Sequence, residues 1–258
     1  CRQCTRYRLE PGLDARSKTN ECGLVSGVVH HPVAHGQHAV ARQFDDQRIA
    51  PGCHAALRLP EALYETLSIF LLLAIGLKKG DRIGIWSPNY AEWSILQFGS
   101  SKIGAILVNI NPSYRVHELE YALQLTGCSA LVIAEQFKTS NYADMLRELA
   151  PELDHCAPGQ LQSHRLPELK SVIRLGDEAQ PGLWRWQDLM RFGDEVGNDE
   201  LAQVQAHMST HEPINIQFTS GTTGRPKGAT LSHHNILNNA VCVAELMNFS
   251  HQDRLVVP

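Results

Sequence analysis

Pro213-Ile-Asn-Ile-Gln-Phe-Thr-Ser-Gly-Thr-Thr-Gly-Arg-Pro-Lys-Gly228 is the stretch on which the reading of this chain turns. Pro213 to Phe218 alternates apolar side chains and reads as a strand. A loop of small residues follows directly. Gly221, Gly224 and Gly228 admit backbone conformations closed to other residues and let main-chain N–H groups approach an anion closely. Thr219, Ser220, Thr222 and Thr223 offer hydroxyl donors to phosphate oxygens. Lys227 supplies a compact positive charge at the loop's end. Arg225 adds a second cation, and its position beside Pro226 points it to solvent. A flexible Ser/Thr/Gly linker predicts neither the apolar strand before the loop nor the single lysine at its end.

The loop is not a Walker A motif. That motif needs a glycine immediately before its lysine and a Ser or Thr after it. Pro226 precedes Lys227 and Gly228 follows it, so both required positions fail. The next residues, Ala229 to Ser232, are short and β-prone. Ser232 then caps a helix beginning near His233. Ile236, Leu237, Ala240, Val241, Ala244 and Met247 recur on one face of that helix, which predicts packing on a sheet. His233 and His234 lie in its first turn. They either touch a nucleotide or are exposed polar residues, and a cation at a helix N-terminus is disfavoured, so both are expected to be neutral.

Working back from the loop, Glu61 to Leu77 is predicted as a helix. Arg82 to Trp86 is a short apolar strand after the Gly80-Asp81 turn. A helix opens at Pro88 or Asn89 and runs to about Ile103. Ala105 to Ile110 is a strand rich in β-branched residues. Val116, Leu119 and Leu123 mark the next helix, which Gly127 ends. Ser129 to Ala134 is a strand, Tyr142 to Leu149 a helix, and Lys170 to Leu175 another strand. Pro151 to Pro167 is expected to be a polar surface loop. Residues 176 to 213 read as turns plus one or two helices, one holding Trp184, Trp186, Leu189 and Met190. Apolar strands alternating with amphipathic helices predict an α/β fold, a mostly parallel sheet flanked by helices.

Composition narrows the function classes. The 258 residues are long enough to bury a substantial core, and 43% are hydrophobic. The net charge of −4 gives no basic field for nucleic acid. The longest apolar run, Leu67 to Leu77, is too short to span a bilayer and reads as a buried helix. Seven cysteines follow no repeating spacing. Cys1 and Cys4 form a C-x-x-C pair with no second pair to complete a zinc site. Cys128, Cys156 and Cys242 read as reduced, small core residues. The first 60 residues, rich in His, Arg and Gln and beginning without Met, read as a poorly structured segment with no secretory signal pattern.

The Thr219 to Gly228 loop, together with Leu231-Ser-His-His-Asn235, resembles the signature of the AMP-binding, acyl-CoA synthetase-like superfamily of adenylate-forming enzymes. Gly80 to Asn89 and Gly104 to Pro112 resemble its first strands, and Glu118 to Leu123 the helix after them. The phrase Ile214 to Gly224 is most similar to the superfamily's mitochondrial medium-chain branch. The resemblance implies part of the large N-terminal domain of such an enzyme, and a fatty acid–CoA ligase reaction. A fatty acid carboxylate would attack the α-phosphate of Mg-ATP, and coenzyme A would then displace AMP from the acyl-adenylate. Thr219, Ser220, Gly221, Thr222, Thr223, Gly224, Arg225, Pro226 and Lys227 would hold the β- and γ-phosphates. The implied partners are small molecules (ATP, Mg2+, fatty acid and coenzyme A), with no nucleic acid and no transmembrane segment. The implied location is mitochondrial, otherwise cytoplasmic, and no oligomeric state follows.

On the same resemblance, residues 61–258 are expected to form a partial AMP-binding domain, truncated before its C-terminal half and inactive alone. Residues 1–60 form an atypical leader. No residue is assigned a catalytic role, because the superfamily's acidic, ribose-binding and catalytic-lysine motifs have no counterparts up to Pro258. A reading of a different class is a catalytically dead nucleotide-binding or interaction module from a truncated transcript.

Overall fold

The computed structural model describes residues 72–73, 75–192, 203–219, 225–250 and 252–253. Two compact units divide the chain, Asp46–Ala240 with Pro258, and Cys1–Asp45 with Val241–Val257. The larger unit is built on β1 (Arg82–Trp86), α1 (Ala91–Ile103), β2 (Ile106–Ile110), α2 (Val116–Thr126) and β3 (Ala130–Ile133). A small hairpin, β4 (Gln136–Phe137) and β5 (Ser140–Asn141), leads into α3 (Tyr142–Leu149). Then come β6 (Ser171–Arg174), β7 (Trp184–Arg185), α4 (Trp186–Phe192), β8 (Pro213–Thr219), β9 (Lys227–Ser232) and α5 (His233–Leu246). The main sheet has seven strands in the order β7-β6-β3-β1-β2-β8-β9. Every pairing in it is parallel except β8 with β9.

Period-two alternation sends the strand side chains to two separate cores. Ile83, Ile85, Leu107, Ala130, Val132 and Ile173 face one side, where Leu96 and Ile103 of α1 and Trp186 and Leu189 of α4 cover them. Trp86, Val108, Ile110, Leu131 and Ile133 face the other, under Leu119 and Leu123 of α2 and Tyr142 and Leu146 of α3. A sheet covered on both faces needs apolar residues at nearly every strand position, which is why β1, β2 and β3 read as continuous apolar runs. Gly84 interrupts β1 because a Cβ there would lie 2.8 Å from Leu131 Cδ1 and 3.1 Å from Ile110 Cδ1.

The helix ends follow local chemistry. Asn141 Oδ1 accepts from the N–H groups of Ala143 and Asp144 and starts α3. Gly127, at φ 60°, ends α2 in the left-handed conformation. Arg82 reaches across from β1 and donates to the Thr126 and Gly127 carbonyls at 2.8 and 2.9 Å. Its cation therefore sits at the negative end of α2.

Three expectations are corrected. Pro151 to Pro167 is no simple surface loop: Pro151–His155 is a 3₁₀ helix, and Leu153, Leu161 and Leu166 are buried in the α2/α3 core. Their irregular spacing has no helical or strand period, so periodicity alone misses them. Trp184 belongs to a two-residue strand rather than to the helix, which begins at Trp186. The stripe of α5 is not buried against a sheet. No residue of that helix is fully buried, Ala240 is exposed, and Met247 beyond it is 58% exposed.

Of the expected Glu61 to Leu77 helix, the described residues include helical Leu72 and Leu73, with a turn before Leu77. The remainder, like residues 1–60 and the C-x-x-C pair, lies outside the described residues. In the smaller unit, Met247 and Phe249 close the end of α5 through bonds to the Val243 and Ala244 carbonyls. Among the described residues no helix is long and apolar enough to cross a membrane.

Two stability outcomes follow. Gly84→Ala is expected to cost about 1–3 kcal/mol by overpacking the α2/α3 core. Asn141→Ala is expected to cost about 1 kcal/mol through loss of the cap. Urea unfolding midpoints of the variants measure both, and an unchanged midpoint for either refutes that assignment.

Candidate functional site

β1, β2, β3, β6 and β8 all end at the same edge of the sheet because all are parallel. The chain steps from β1 to β2 on one side, then crosses back to place β3 on β1's other side. Open parallel sheets bind ligands outside the carboxyl ends of their strands, at such a switch point. The loop after β8 leaves from this edge.

β8 and β9 form an antiparallel hairpin whose pairing runs from Pro213↔Ser232 to Thr219↔Lys227. Thr219 Oγ1 donates to the Lys227 carbonyl at 3.4 Å. Thr219 and Lys227 are both exposed and face each other as the last pair before the loop. Lys227 is thus the first residue of a strand, its backbone held in place by the ladder and its side chain exposed. Pro226 is half-buried, and Arg225 is exposed with its guanidinium 5.2 Å from the Tyr121 ring centroid. Ser220, Gly221, Thr222, Thr223 and Gly224 lie outside the described residues.

Gly228 is a strand residue outside the left-handed region, contrary to the expectation that it supplies an unusual backbone conformation. What it provides is the absence of a side chain. It pairs with Phe218, and a Cβ there would stand 3.1 Å from Ile216 Cγ2. The aromatic side chain lies beside the glycine it faces.

Aromatic residues floor the site. Trp86 at the end of β1 stacks on Tyr142 with centroids 3.9 Å apart. The Tyr142 hydroxyl donates to the Pro112 carbonyl at 2.7 Å, pinning the turn after β2. Burial pushes that hydroxyl's pKa well above its ordinary value. Tyr114, after the same turn, meets Phe218 edge-on at 6.3 Å. Its pKa is also raised, first by burial and then by Glu118 and Tyr121.

Sequence reasoning missed the polar seam that holds β8. Asn215, fully buried, donates from Nδ2 to Gln97 Oε1 of α1 at 2.8 Å and accepts from Asn109 Nδ2 of β2 at 3.5 Å. The signal was present as an asparagine between Ile214 and Ile216. The amides select one register, since sliding β8 would bury them without partners.

The histidines lie elsewhere. β9 runs back to the amino edge, so α5 begins about 17 Å from the loop at 3.3–3.4 Å per residue. His233 and His234 therefore do not meet a ligand held at the loop, and both are half-buried rather than exposed. The His234 N–H donates to the Thr210 carbonyl and its ring lies 4.8 Å from that of His211. Burial lowers the pKa of His233, against the opposing pull of the Ser101 carbonyl and Glu212. The neutral form expected for His233 agrees with that direction.

Of the cysteines, Cys128 is buried while Cys156 and Cys242 are only half-buried. Burial raises the Cys128 thiol to about 11, so it stays protonated. Among the described residues no group of three His, Cys, Asp or Glu side chains is placed to hold a metal ion.

Asn215→Ala is expected to cost about 1–3 kcal/mol, because the half-buried amides of Gln97 and Asn109 lose their partner. His233 sets a pH slope. Its folded pKa lies below the unfolded value of about 6.5, so the unfolded state binds the extra proton as pH falls past that value. His233→Gln is expected to make the loss of unfolding free energy between about pH 7 and 5.5 shallower than in the parent chain. Urea titrations across that range measure the slope, and parallel curves refute the assignment.

Residues 61–258 match the model of the AMP-binding enzyme family. The chain is 51% identical over 169 residues to the medium-chain acyl-CoA ligase ACSF2, mitochondrial, of Danio rerio, covering 66% of this chain and 28% of that protein. It is 42% identical over 243 residues to the Mus musculus protein of the same name, covering 90% of this chain and 39% of that one. The fold is also that of a long-chain-fatty-acid-CoA ligase (FadD1) from Archaeoglobus fulgidus. There the TM-score is 0.55 at 20% identity, over 81% of this chain and 36% of that one. The chain thus spans less than two fifths of the length of these relatives. With the family match covering residues 61–258, more than half of the chain, the chain belongs to the AMP-binding enzyme family.

Proposed function

We propose that this chain is part of a fatty acid–CoA ligase that activates a medium-chain fatty acid through an acyl-adenylate. The observation that carries the reading is the Thr219·Lys227 pair, which closes a Ser/Thr/Gly loop at the carboxyl edge of the parallel sheet. Residues 61–258 are then a partial AMP-binding domain preceded by an atypical segment over 1–60. The names of the relatives support a medium-chain acid and, by resemblance, a mitochondrial location.

In this reading Thr219, Ser220, Gly221, Thr222, Thr223, Gly224, Arg225, Pro226 and Lys227 grip the β- and γ-phosphates of ATP. The fatty acid carboxylate attacks the α-phosphorus, and negative charge builds on the departing pyrophosphate. Hydroxyl, N–H and ammonium donors already in position stabilise that charge without reorganising. Lys227 suits the role because the β8–β9 ladder fixes its backbone. Coenzyme A thiol then displaces AMP to give the thioester. Magnesium would enter with the triphosphate and neutralise part of its charge. Among the described residues no group of three His, Cys, Asp or Glu side chains is placed to hold it, so no step is assigned to them through the metal.

The test grafts residues 61–258 onto the remaining sequence of the Danio rerio relative and measures pyrophosphate released from ATP in the presence of octanoate. Release dependent on the acid is expected, and Lys227→Ala is expected to lower kcat by about 10²-fold, typical for one lost donor to developing charge. A folded chimera without acid-dependent release, or one indifferent to the Lys227 change, overturns the reading.

A further inference from the structure

The two legs of the loop both meet aromatic side chains on or beside α2, Tyr114 just before its first turn and Tyr121 at its middle. On the entry leg, Phe218 meets Tyr114 edge-on, and both pack against the α2/α3 core. On the exit leg, the Arg225 guanidinium lies 5.2 Å from the centroid of the Tyr121 ring. Tyr114 and Tyr121 are close enough for one to affect the other's ionisation. Among the described residues the legs are joined by the β8–β9 pairing, which ends at Thr219↔Lys227. Past that pair, the described contact of the exit leg's cation is with Tyr121.

We propose that Tyr121 is a positioning residue that holds Arg225 against α2, so that Arg225 anchors the loop's exit leg instead of donating to phosphate. Three physical points favour this assignment. The guanidinium face stacks well on an aromatic ring, where a lysine's ammonium would do so less well. Tyr121 is half-buried, with its ring orientation set by a helix whose neighbours Leu119, Ala122 and Leu123 are in the core. Arg225 directly precedes Pro226, whose fixed φ and restriction on the residue before it limit the directions the side chain can take. Lys227 is left as the exposed cation whose backbone is held at the carboxyl edge of the sheet. The assignment rests on the phosphate-holding reading above, and it changes what Arg225 does within that reading.

The experiment measures hydrogen exchange of the peptide spanning residues 219–228 in the full 258-residue chain without ligand. Variants are Tyr121→Leu, Tyr121→Phe, Arg225→Gln and the Tyr121→Leu/Arg225→Gln double. An exposed cation–π contact corresponds to about a two- to fivefold change in an equilibrium. Exchange is expected to quicken by about that factor in each loss variant, with the double no faster than either single. Tyr121→Phe keeps the ring face and is expected to exchange like the parent. Far-UV circular dichroism and an unchanged urea midpoint confirm that each variant is folded. Unchanged exchange in Tyr121→Leu, or effects that multiply in the double, overturn the proposal.

Titration with inorganic pyrophosphate separates this from the reading it rests on. Tyr121→Leu and Arg225→Gln are expected to weaken pyrophosphate by the same small factor, and Lys227→Ala by more. If Arg225→Gln weakens it well beyond Tyr121→Leu, and does so equally in the Tyr121→Leu background, Arg225 is a phosphate donor and the anchor is refuted. If the parent chain and Lys227→Ala fail alike to bind pyrophosphate, the phosphate-holding reading falls, while the exchange result still decides the anchor.

Discussion

The pairing of β8 with β2 is the constraint on which the site depends. It comprises three residue pairs, Leu107↔Asn215, Val108↔Ile216 and Asn109↔Gln217. Through them the β8–β9 hairpin joins the five parallel strands β7-β6-β3-β1-β2. A ladder this short is weakly specified by apolar patterning alone, because a two-residue slip would keep every side chain on its face. The buried amide of Asn215, bonded to the half-buried Gln97 and Asn109, removes that freedom. Asn215 is expensive to bury unpaired, and only one register pairs it with both partners. The height of the loop above the sheet edge is therefore set by three polar side chains on the face opposite the aromatic floor.

That arrangement separates two requirements. In the proposed reading the sheet must be stiff enough to fix the backbone of Lys227, and the loop must be small enough to let backbone N–H groups reach an anion. Bulk is concentrated beneath the edge, in Trp86, Tyr142, Tyr114 and Phe218, and small residues are confined to the loop. Gly228 marks the boundary. Its missing side chain accommodates Ile216 and Phe218 across the hairpin, so the glycine serves packing and not an anion-facing backbone conformation.

Much of this was legible in the sequence, for reasons that individual residues make clear. β1, β2 and β3 stand out because burial on both faces demands continuous apolar runs, and Gly127 marks a helix end by known local chemistry. The family was legible because the order of residue types around the loop is that of the matching family. What escaped was information held in long-range geometry. Leu153, Leu161 and Leu166 are core residues whose spacing follows the contours of α2 and α3, not a helical or strand period. Trp184 joins a strand of two residues, too short to make a pattern. Asn215 looked like a polar break in a strand, and its value appears only once Gln97, 118 positions away, is beside it.

The same distinction explains the histidines and Arg225. His233 and His234 follow the loop closely in sequence, and a linear reading places them near its ligand. The six residues of β9 carry them to the opposite edge, where His233 lies near Ser101 and Glu212. Arg225, two residues from Lys227, reads as a second phosphate cation for the same reason. Alternation along a strand would not separate them, since residues two apart share a face. Lys227 has its backbone fixed by pairing with Thr219, whereas Arg225 lies past the ladder with its guanidinium 5.2 Å from the Tyr121 ring centroid. Proximity in the chain makes both residues candidates for the same work, and the proposed Tyr121 anchor divides it between holding the ligand and holding the loop.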